Sequence, residues 1–220
     1  MTIPFKDIFL RRQFVVTTLL IFFTLIFLGI FSQVDKVNPV FQTLLVSITF
    51  FLVVPVLYSK IVLKESIGSL GWQKGNAFSG ILMSMVCVAG GLGVIFLLMR
   101  YTSFQEGYSL PVMTQLNFFW FLLYELLLVS LTTLLYEVFF RGLIQLSWLR
   151  SFGWGAVLFQ AALFISLLYF ADDFSWQRAP IILFSPLAGL IAYTSQSIWY
   201  SWAASWIFLF LTDVFFLVIH

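Results

Sequence analysis

Long apolar runs recur along the whole chain and constrain its fold more than any other feature. Of the residues, 62% are hydrophobic and 9% are charged, whereas soluble domains carry about 25% charged residues. Each run has about 20 residues, enough for a helix to cross a hydrocarbon core roughly 30 Å thick. Backbone groups inside lipid must be satisfied within the segment, so the runs predict helices. The sequence therefore predicts an all-α, polytopic transmembrane helical bundle of about seven spans.

Polar residues between the runs set the predicted span boundaries. The seven spans are about 13–31, 40–58, 77–99, 116–141, 154–171, 179–194 and 198–218. The fourth ends in the region 137–141, and its helix either ends there or continues towards Arg150 along the interface. We divide the chain into an N-terminal two-span segment, residues 1–64, and a transmembrane core, residues 65–220. The first run is long and lacks a small-residue cleavage pattern, so we expect it to remain as a span.

Composition also excludes several classes of protein. Cys87 is the single cysteine, so neither an internal disulfide nor a CxxC metal site is possible. The formal net charge of +2 comes without a basic cluster, which argues against a nucleic-acid partner. We expect no metal ion and no cofactor, and we expect the lipid bilayer to surround the chain.

The basic residues predict which side of the membrane holds each loop. With a cytoplasmic N-terminus, eight of the 11 Lys and Arg residues fall on the cytoplasmic side, as the positive-inside rule favours. The eight are Lys6, Arg11, Arg12, Lys60, Lys64, Lys74, Arg141 and Arg150, and the other three are Lys36, Arg100 and Arg178. We predict a multi-pass protein of a prokaryotic cytoplasmic membrane, with the N-terminus in the cytoplasm.

Four ionisable residues lie inside the predicted spans: Glu125, Glu137, Arg141 and Asp213. Such residues are rare in lipid and tend to be functional or to join helices. Glu137 and Arg141 are four residues apart, about 40° of helical rotation, so they share a helix face and can pair. The pair is either a salt bridge near a helix end or part of a functional motif.

Glu125 lies eleven residues before Tyr136, which in an α-helix places the two about 20° apart. Asp213 is predicted at a similar depth to Glu125, towards the outer side. The two acids either line a wet outer cavity, face a partner, or are protonated and hydrogen-bonded. The small residues of 89–93, and Gly189, are expected to let neighbouring helices approach closely.

Several segments resemble the motifs of one family, in order and in spacing. The segment "YEVFFRGLIQ" (136–145) is similar to an EExxFRGxL signature, and "AVLFQAALFISLL" (156–168) to a helix ending in FxxxH. The segment "AGLIAYTSQSIWYSWAASWIFL" (188–209) resembles a helix that turns at TxxS[IL]W and leads to HxxxN, and "ESIGSLGWQKGNAFSGI" (65–81) resembles the preceding loop. Together they resemble the CAAX prenyl protease and bacteriocin-processing (CPBP, or Abi) family of intramembrane proteases, which implies a CPBP-like core.

The resemblance fails at the positions where the family carries its chemistry. The family's first glutamate, which activates water, corresponds to Tyr136, while the second glutamate and the arginine are present as Glu137 and Arg141. The two histidines and the asparagine correspond to Leu168, Ser205 and Leu209. Leucine neither donates nor accepts a hydrogen bond. Losing one oxyanion donor alone lowers a rate by about 100- to 1000-fold, so the resemblance implies a degenerate, catalytically inactive member.

Three functions follow as hypotheses. The first is a pseudoprotease that acts as a binding or scaffold subunit for an integral membrane protein or for a transmembrane or lipidated peptide. Its cavity would be lined by Tyr136, Leu168, Ser205 and Trp206. The second is an active intramembrane endopeptidase that uses Glu137 at a relocated site. The third is a small transporter or accessory membrane subunit that depends on Glu125 and Asp213.

Overall fold

Helices joined by short connections make up the computed structural model, which describes residues 12–31, 38–171 and 173–219. We number the seven long helices in chain order: α1 (Arg12–Gly29), α2 (Pro39–Leu63), α3 (Ala77–Tyr101), α4 (Phe118–Leu149), α5 (Gly155–Phe170), α6 (Ala179–Ser195) and α7 (Ile198–Ile219). The described residues contain no strand. The predictions for Lys6, Arg11 and Lys36 lie outside the described residues.

Four helices, α2, α3, α4 and α7, are long and apolar enough to cross a membrane. Helices α1 and α5 are apolar but shorter, and α6 has 17 residues. Each of the seven predicted apolar segments therefore corresponds to a helix, although three of these helices fall below the usual spanning length. Four helices of this kind identify the chain as a membrane protein.

The connections between the helices alternate between two ends of the bundle. At the first end, one cavity is lined by Phe14 at the start of α1, by Glu65 after α2, by Ser151 after α4 and by Gln196 between α6 and α7. At the second end, the backbone N–H of Ser109 donates to Gln177 Oε1 over 2.9 Å, which joins the α3–α4 connection to the α5–α6 connection. We call these the Gln196 end and the Gln177 end.

Two apolar cores hold the helices together. In one, α3, α6 and α7 pack on one another, and the rings of Phe184 and Phe208 stack with centroids 4.4 Å apart. In the other, residues of α1 and α2 pack against α4 and α5. There the ring centroids of Phe51 and Phe139 lie 5.1 Å apart. The boundary predicted at residue 64 stays a prediction, and the two parts that it separates share one apolar core.

Helix α4 departs from α-helical geometry in two places. Residues Tyr124–Val129 and Glu137–Leu146 form π-helical turns, which are rare and often lie at functional sites. Irregular turns in an apolar bundle need side-chain partners for their backbone groups. In the first turn Trp206 Nε1 of α7 donates to the carbonyl oxygen of Glu125 over 3.1 Å. Directly after this turn, Trp202 Nε1 donates to the carbonyl oxygen of Ser130 over 3.0 Å.

Two glycines allow close packing between neighbouring segments, and one of them, Gly91, lies in the stretch 89–93 where the sequence predicts it. A Cβ atom on Gly91 would lie 2.8 Å from the ring of Phe208 on α7. A Cβ atom on Gly142 would lie 2.6 Å from the carbonyl oxygen of Leu70, which belongs to the 3₁₀ turn Ile67–Leu70. Real Cβ atoms do not approach other atoms this closely, so both contacts require glycine.

Candidate functional site

The carboxylate of Glu137 lies at the centre of the bundle with donors on several sides. Ser201 Oγ donates to Glu137 Oε2 over 2.5 Å, and Ser205 Oγ donates to Oε1 over 3.0 Å. The guanidinium Nε of Arg141 lies 3.6 Å from Oε1. All four residues are buried. We call Glu137, Arg141, Ser201 and Ser205 the Glu137 centre.

Arg141 and two glutamines extend these contacts to neighbouring helices. Arg141 Nη2 donates to the carbonyl oxygen of Ser185 on α6 over 3.0 Å. Gln160 of α5 donates to the same oxygen over 3.1 Å, and Gln145 of α4 donates to the carbonyl oxygen of Gly189 over 2.8 Å. A Cβ atom on Gly189 would lie 2.6 Å from Gln160 Nε2, which confirms the close approach predicted there. Buried polar contacts thus join α4, α5, α6 and α7.

A cavity of only about 10 Å³ lies beside the Glu137 centre. It is lined by Thr133, Tyr136, Glu137, Arg141, Ile181, Phe184, Ser185, Ser205 and Leu209. A space of this size accommodates about one water molecule. The Nε of Arg141 and the Oγ of Ser185 have no hydrogen-bond partner among the described residues. The cavity therefore adjoins polar atoms, and its volume is too small for a peptide.

The structure brings together most of the residues that the sequence singles out. Tyr136, Glu137, Arg141, Ser205 and Leu209 line the small cavity. The predicted pairing of Glu137 and Arg141 on one helix face agrees with their 3.6 Å separation. The shared face follows from their spacing of four residues.

Two predicted cavity residues lie elsewhere. Leu168 is buried in the apolar core, as is Phe164. The ring centroid of Phe164 lies 5.3 Å from that of Tyr136. Leu168 does not line the small cavity. Trp206 turns its indole to the backbone of α4. The predicted lining is therefore corrected to Tyr136 and Ser205 without Leu168 and Trp206.

Sequence reasoning missed four polar contributors to this region: Ser185, Ser201, Gln145 and Gln160. One pattern could have found Gln145, because Glu137, Arg141 and Gln145 follow one another at intervals of four residues and share a helix face. The same spacing relates Ser201 to Ser205 on α7. Polar residues at this interval in an apolar helix indicate a buried polar stripe.

A larger cavity of about 160 Å³ lies towards the Gln177 end. Asp213, Tyr108, Tyr124, Gln177 and Arg178 contribute to its wall. The phenol of Tyr108 donates a hydrogen bond to Asp213 Oδ1. Burial, and after it the nearby charge of Asp213, raise the pKa of Tyr108 well above its usual value. The cavity shares Thr133, Tyr136, Ile181 and Leu209 with the small one.

The predicted relation between Glu125 and Tyr136 is wrong by one residue. Tyr124, not Glu125, lines the larger cavity together with Tyr136. Twelve residues of pure α-helix would place Tyr124 and Tyr136 about 120° apart, and one extra residue in a π turn reduces this to about 20°. The π turn Tyr124–Val129 supplies such a residue.

The polar groups of the Glu137 centre are one carboxyl group, two serine hydroxyls and one guanidinium group. Among the described residues no three His, Cys, Asp or Glu side chains lie close enough to hold a metal ion. Comparisons with protein-family models, with curated proteins and with solved structures gave no match. The resemblance to the CPBP family therefore stays a prediction that depends on the motifs.

Proposed function

We propose that this chain is a multi-pass membrane protein that binds another integral membrane protein, or a transmembrane or lipidated peptide, without cleaving it. It is a degenerate CPBP-like bundle of seven spans in a prokaryotic cytoplasmic membrane. The main support for this proposal is the set of contacts that Glu137 makes. Both of its carboxyl oxygens accept hydrogen bonds from serines. The Nε of Arg141 lies 3.6 Å from Glu137 Oε1.

These contacts leave Glu137 poorly suited to activate water. A general base must reach the proton that it removes and must have a free lone pair directed at the substrate. The serines and Arg141 compete for the lone pairs of Glu137, and the adjoining cavity of about 10 Å³ excludes a peptide. The Tyr136 phenol next to it is not a base near neutral pH. These features support a structural role for the Glu137 centre.

A small-residue surface on α3 supports a helix as the partner. Gly90 and Gly93 are exposed, and a Cβ atom added to either would have no atom of another described helix within 4 Å. Gly91, in contrast, packs against Phe208 inside the bundle. Helices associate in lipid through close backbone approach at small residues, because apolar side chains gain little from leaving lipid tails. Gly90 and Gly93 offer this approach on the outer surface of the bundle.

The alternation of the connections supports seven crossings and the predicted orientation. Lys64 and Lys74 flank the connection at the Gln196 end, whereas Arg178 belongs to the Gln177 end. The positive-inside rule then assigns the Gln196 end to the cytoplasm, together with the N-terminus. The short helices α1, α5 and α6 cross by local thinning of the bilayer or by placing their flanking residues in the interface.

Purification of the protein from its native membrane in a mild detergent tests this function. We expect a bound membrane protein, identified by mass spectrometry, whose yield falls at least tenfold in a Gly90→Leu, Gly93→Leu double variant. The matched control is Val94→Leu, which enlarges a neighbouring position that is 41% exposed. Equal retention by the double variant contradicts the proposed surface. A peptide cleavage that disappears in Glu137→Gln contradicts the loss of catalysis.

A further inference from the structure

Two buried carboxyl groups meet near the larger cavity. Glu125 of α4 is 0% exposed and Asp213 of α7 is 3% exposed. Asp213 is the charged group beside Glu125, and neither carboxyl oxygen of Glu125 has a hydrogen-bond partner among the described residues. A contact between two carboxyl groups is a hydrogen bond only when one of them carries a proton.

In the described part of the chain, no cation is ion-paired to either acid of the pair. Arg178, the cation on the cavity wall, is bound to Asp173 over 2.7 Å. The other titratable groups beside the pair are the phenols of Tyr108, from the α3–α4 connection, and Tyr124 of α4.

Two ionised carboxylates in contact inside an apolar bundle repel each other strongly, and burial penalises both charges. Interacting acids of this kind lose their protons in two separate steps, so one proton is retained over a wide pH range. Asp213 already accepts a hydrogen bond from Tyr108, which favours its charged form. Glu125 has no such donor, so the proton belongs on Glu125.

The larger cavity connects the pair to the Gln177 end. Its volume of about 160 Å³ is enough for several water molecules. Asp213 and Tyr108 lie on its wall together with Gln177 and Arg178, and the side chain of Arg178 is 41% exposed. Water can therefore reach the carboxyl of Asp213, next to the proton on Glu125.

We propose that Glu125, Asp213 and Tyr108 form a proton-binding site, in which Glu125 holds one proton towards Asp213 at neutral pH and exchanges it with water of the larger cavity. When the proton leaves, the O–H bond of the Glu125 carboxylic acid breaks and its electron pair stays on the Glu125 carboxylate, while the proton passes to the carboxylate of Asp213 and from there to a water of the cavity. The site does not depend on the function proposed above, because it shares no residue with the Glu137 centre.

Infrared spectroscopy of the purified full-length chain in phosphatidylcholine nanodiscs tests the site. At neutral pH we expect the C=O stretch of one protonated carboxylic acid per chain, and we expect it to shift in D₂O because the cavity lets the proton exchange. Glu125→Gln removes the band. The control Glu106→Gln, at an exposed acid outside the long helices, leaves it unchanged.

Several outcomes overturn the proposal. They are a wild-type spectrum without the band, a band that survives Glu125→Gln, and a band that does not shift in D₂O. If the band disappears when sodium chloride replaces choline chloride at constant pH, the site binds a metal cation in place of the proton. This result also overturns the proposal.

A second variant keeps the test decisive if Glu125→Gln does not fold. In Asp213→Asn the acceptor of the Glu125 proton becomes a neutral amide, so we expect the band to persist at a different frequency. An unshifted band in this variant contradicts the contact between Glu125 and Asp213.

Discussion

Glu137 and Glu125 lie on the same helix, twelve residues apart, and both are buried, yet their neighbours are opposite in kind. Glu137 receives hydrogen bonds from Ser201 and Ser205 and lies 3.6 Å from the Arg141 guanidinium. Glu125 faces another acid, Asp213, and receives no bond from a hydroxyl or a cation among the described residues.

The difference shows that burial alone does not decide the charge of an acid inside an apolar bundle. A buried carboxylate is stable when donors and an opposite charge replace the water that it loses. A carboxyl without them keeps its proton. We therefore propose a structural role for the Glu137 centre and a proton-binding role for the pair Glu125–Asp213.

Replacing each glutamate by glutamine should separate the two centres most clearly. Glu137→Gln leaves the buried guanidinium of Arg141 without its counter-charge, so we expect the free energy of unfolding to fall by about 3 kcal/mol. Glu125→Gln should lower it by less than about 1 kcal/mol, because an amide resembles a protonated carboxyl in shape and in hydrogen bonding. Unfolding of both variants in mixed micelles of mild detergent and dodecyl sulfate measures the difference. Equal losses would contradict the contrast between the centres.

Removing one donor from Glu137 should have a smaller effect. Ser201→Ala deletes a 2.5 Å hydrogen bond to a charged acceptor, and such bonds contribute about 1.5–3 kcal/mol to stability. The same unfolding assay measures the loss. Ser166→Ala is the control, at a serine in an apolar groove between α1 and α5, and should change stability by less than about 0.5 kcal/mol. If Ser201→Ala behaves like the control, the serine does not stabilise the carboxylate.

Tyr108 gives the smallest expected effect, at alkaline pH. Burial and the charge of Asp213 raise the pKa of Tyr108 in the folded protein, while the phenol of the unfolded chain ionises at a pH of about 10. Above that pH the folded state holds more protons than the unfolded state, so the free energy of unfolding falls as pH rises, by at most about 1.4 kcal/mol per pH unit.

The variant Tyr108→Phe removes this ionisation. Its free energy of unfolding should therefore decline less steeply than that of the natural chain between about pH 9 and pH 11. Tyr101→Phe, at an exposed tyrosine of the same region, is the matched control and should leave the slope unchanged. Identical slopes for Tyr108→Phe and the natural chain would show that Tyr108 titrates alike in both states.

The candidate site was predictable where it depends on spacing along one helix. The four-residue interval predicted that Glu137 lies beside Arg141. The motifs that resemble the CPBP family pointed to Tyr136, Ser205 and Leu209, which line the same small cavity. The prediction failed for Glu125 and Tyr136, because the π turn Tyr124–Val129 shifts the helical register. Apolar residues on both sides of a π turn leave no pattern in the sequence that distinguishes it from an α turn.

The sequence by itself determined that the chain is helical, that its helices are apolar, and where most of them begin and end; α2 and α4 end at Leu63 and Leu149, beyond the predicted spans 40–58 and 116–141. These properties are local, because backbone hydrogen bonds in an apolar solvent must close within each segment. Only the tertiary structure decided which acid receives donors and which faces another acid. The partners of Glu137 lie 64 and 68 positions away along the chain, and side-chain contacts over such distances depend on how the helices pack, which periodicity does not encode.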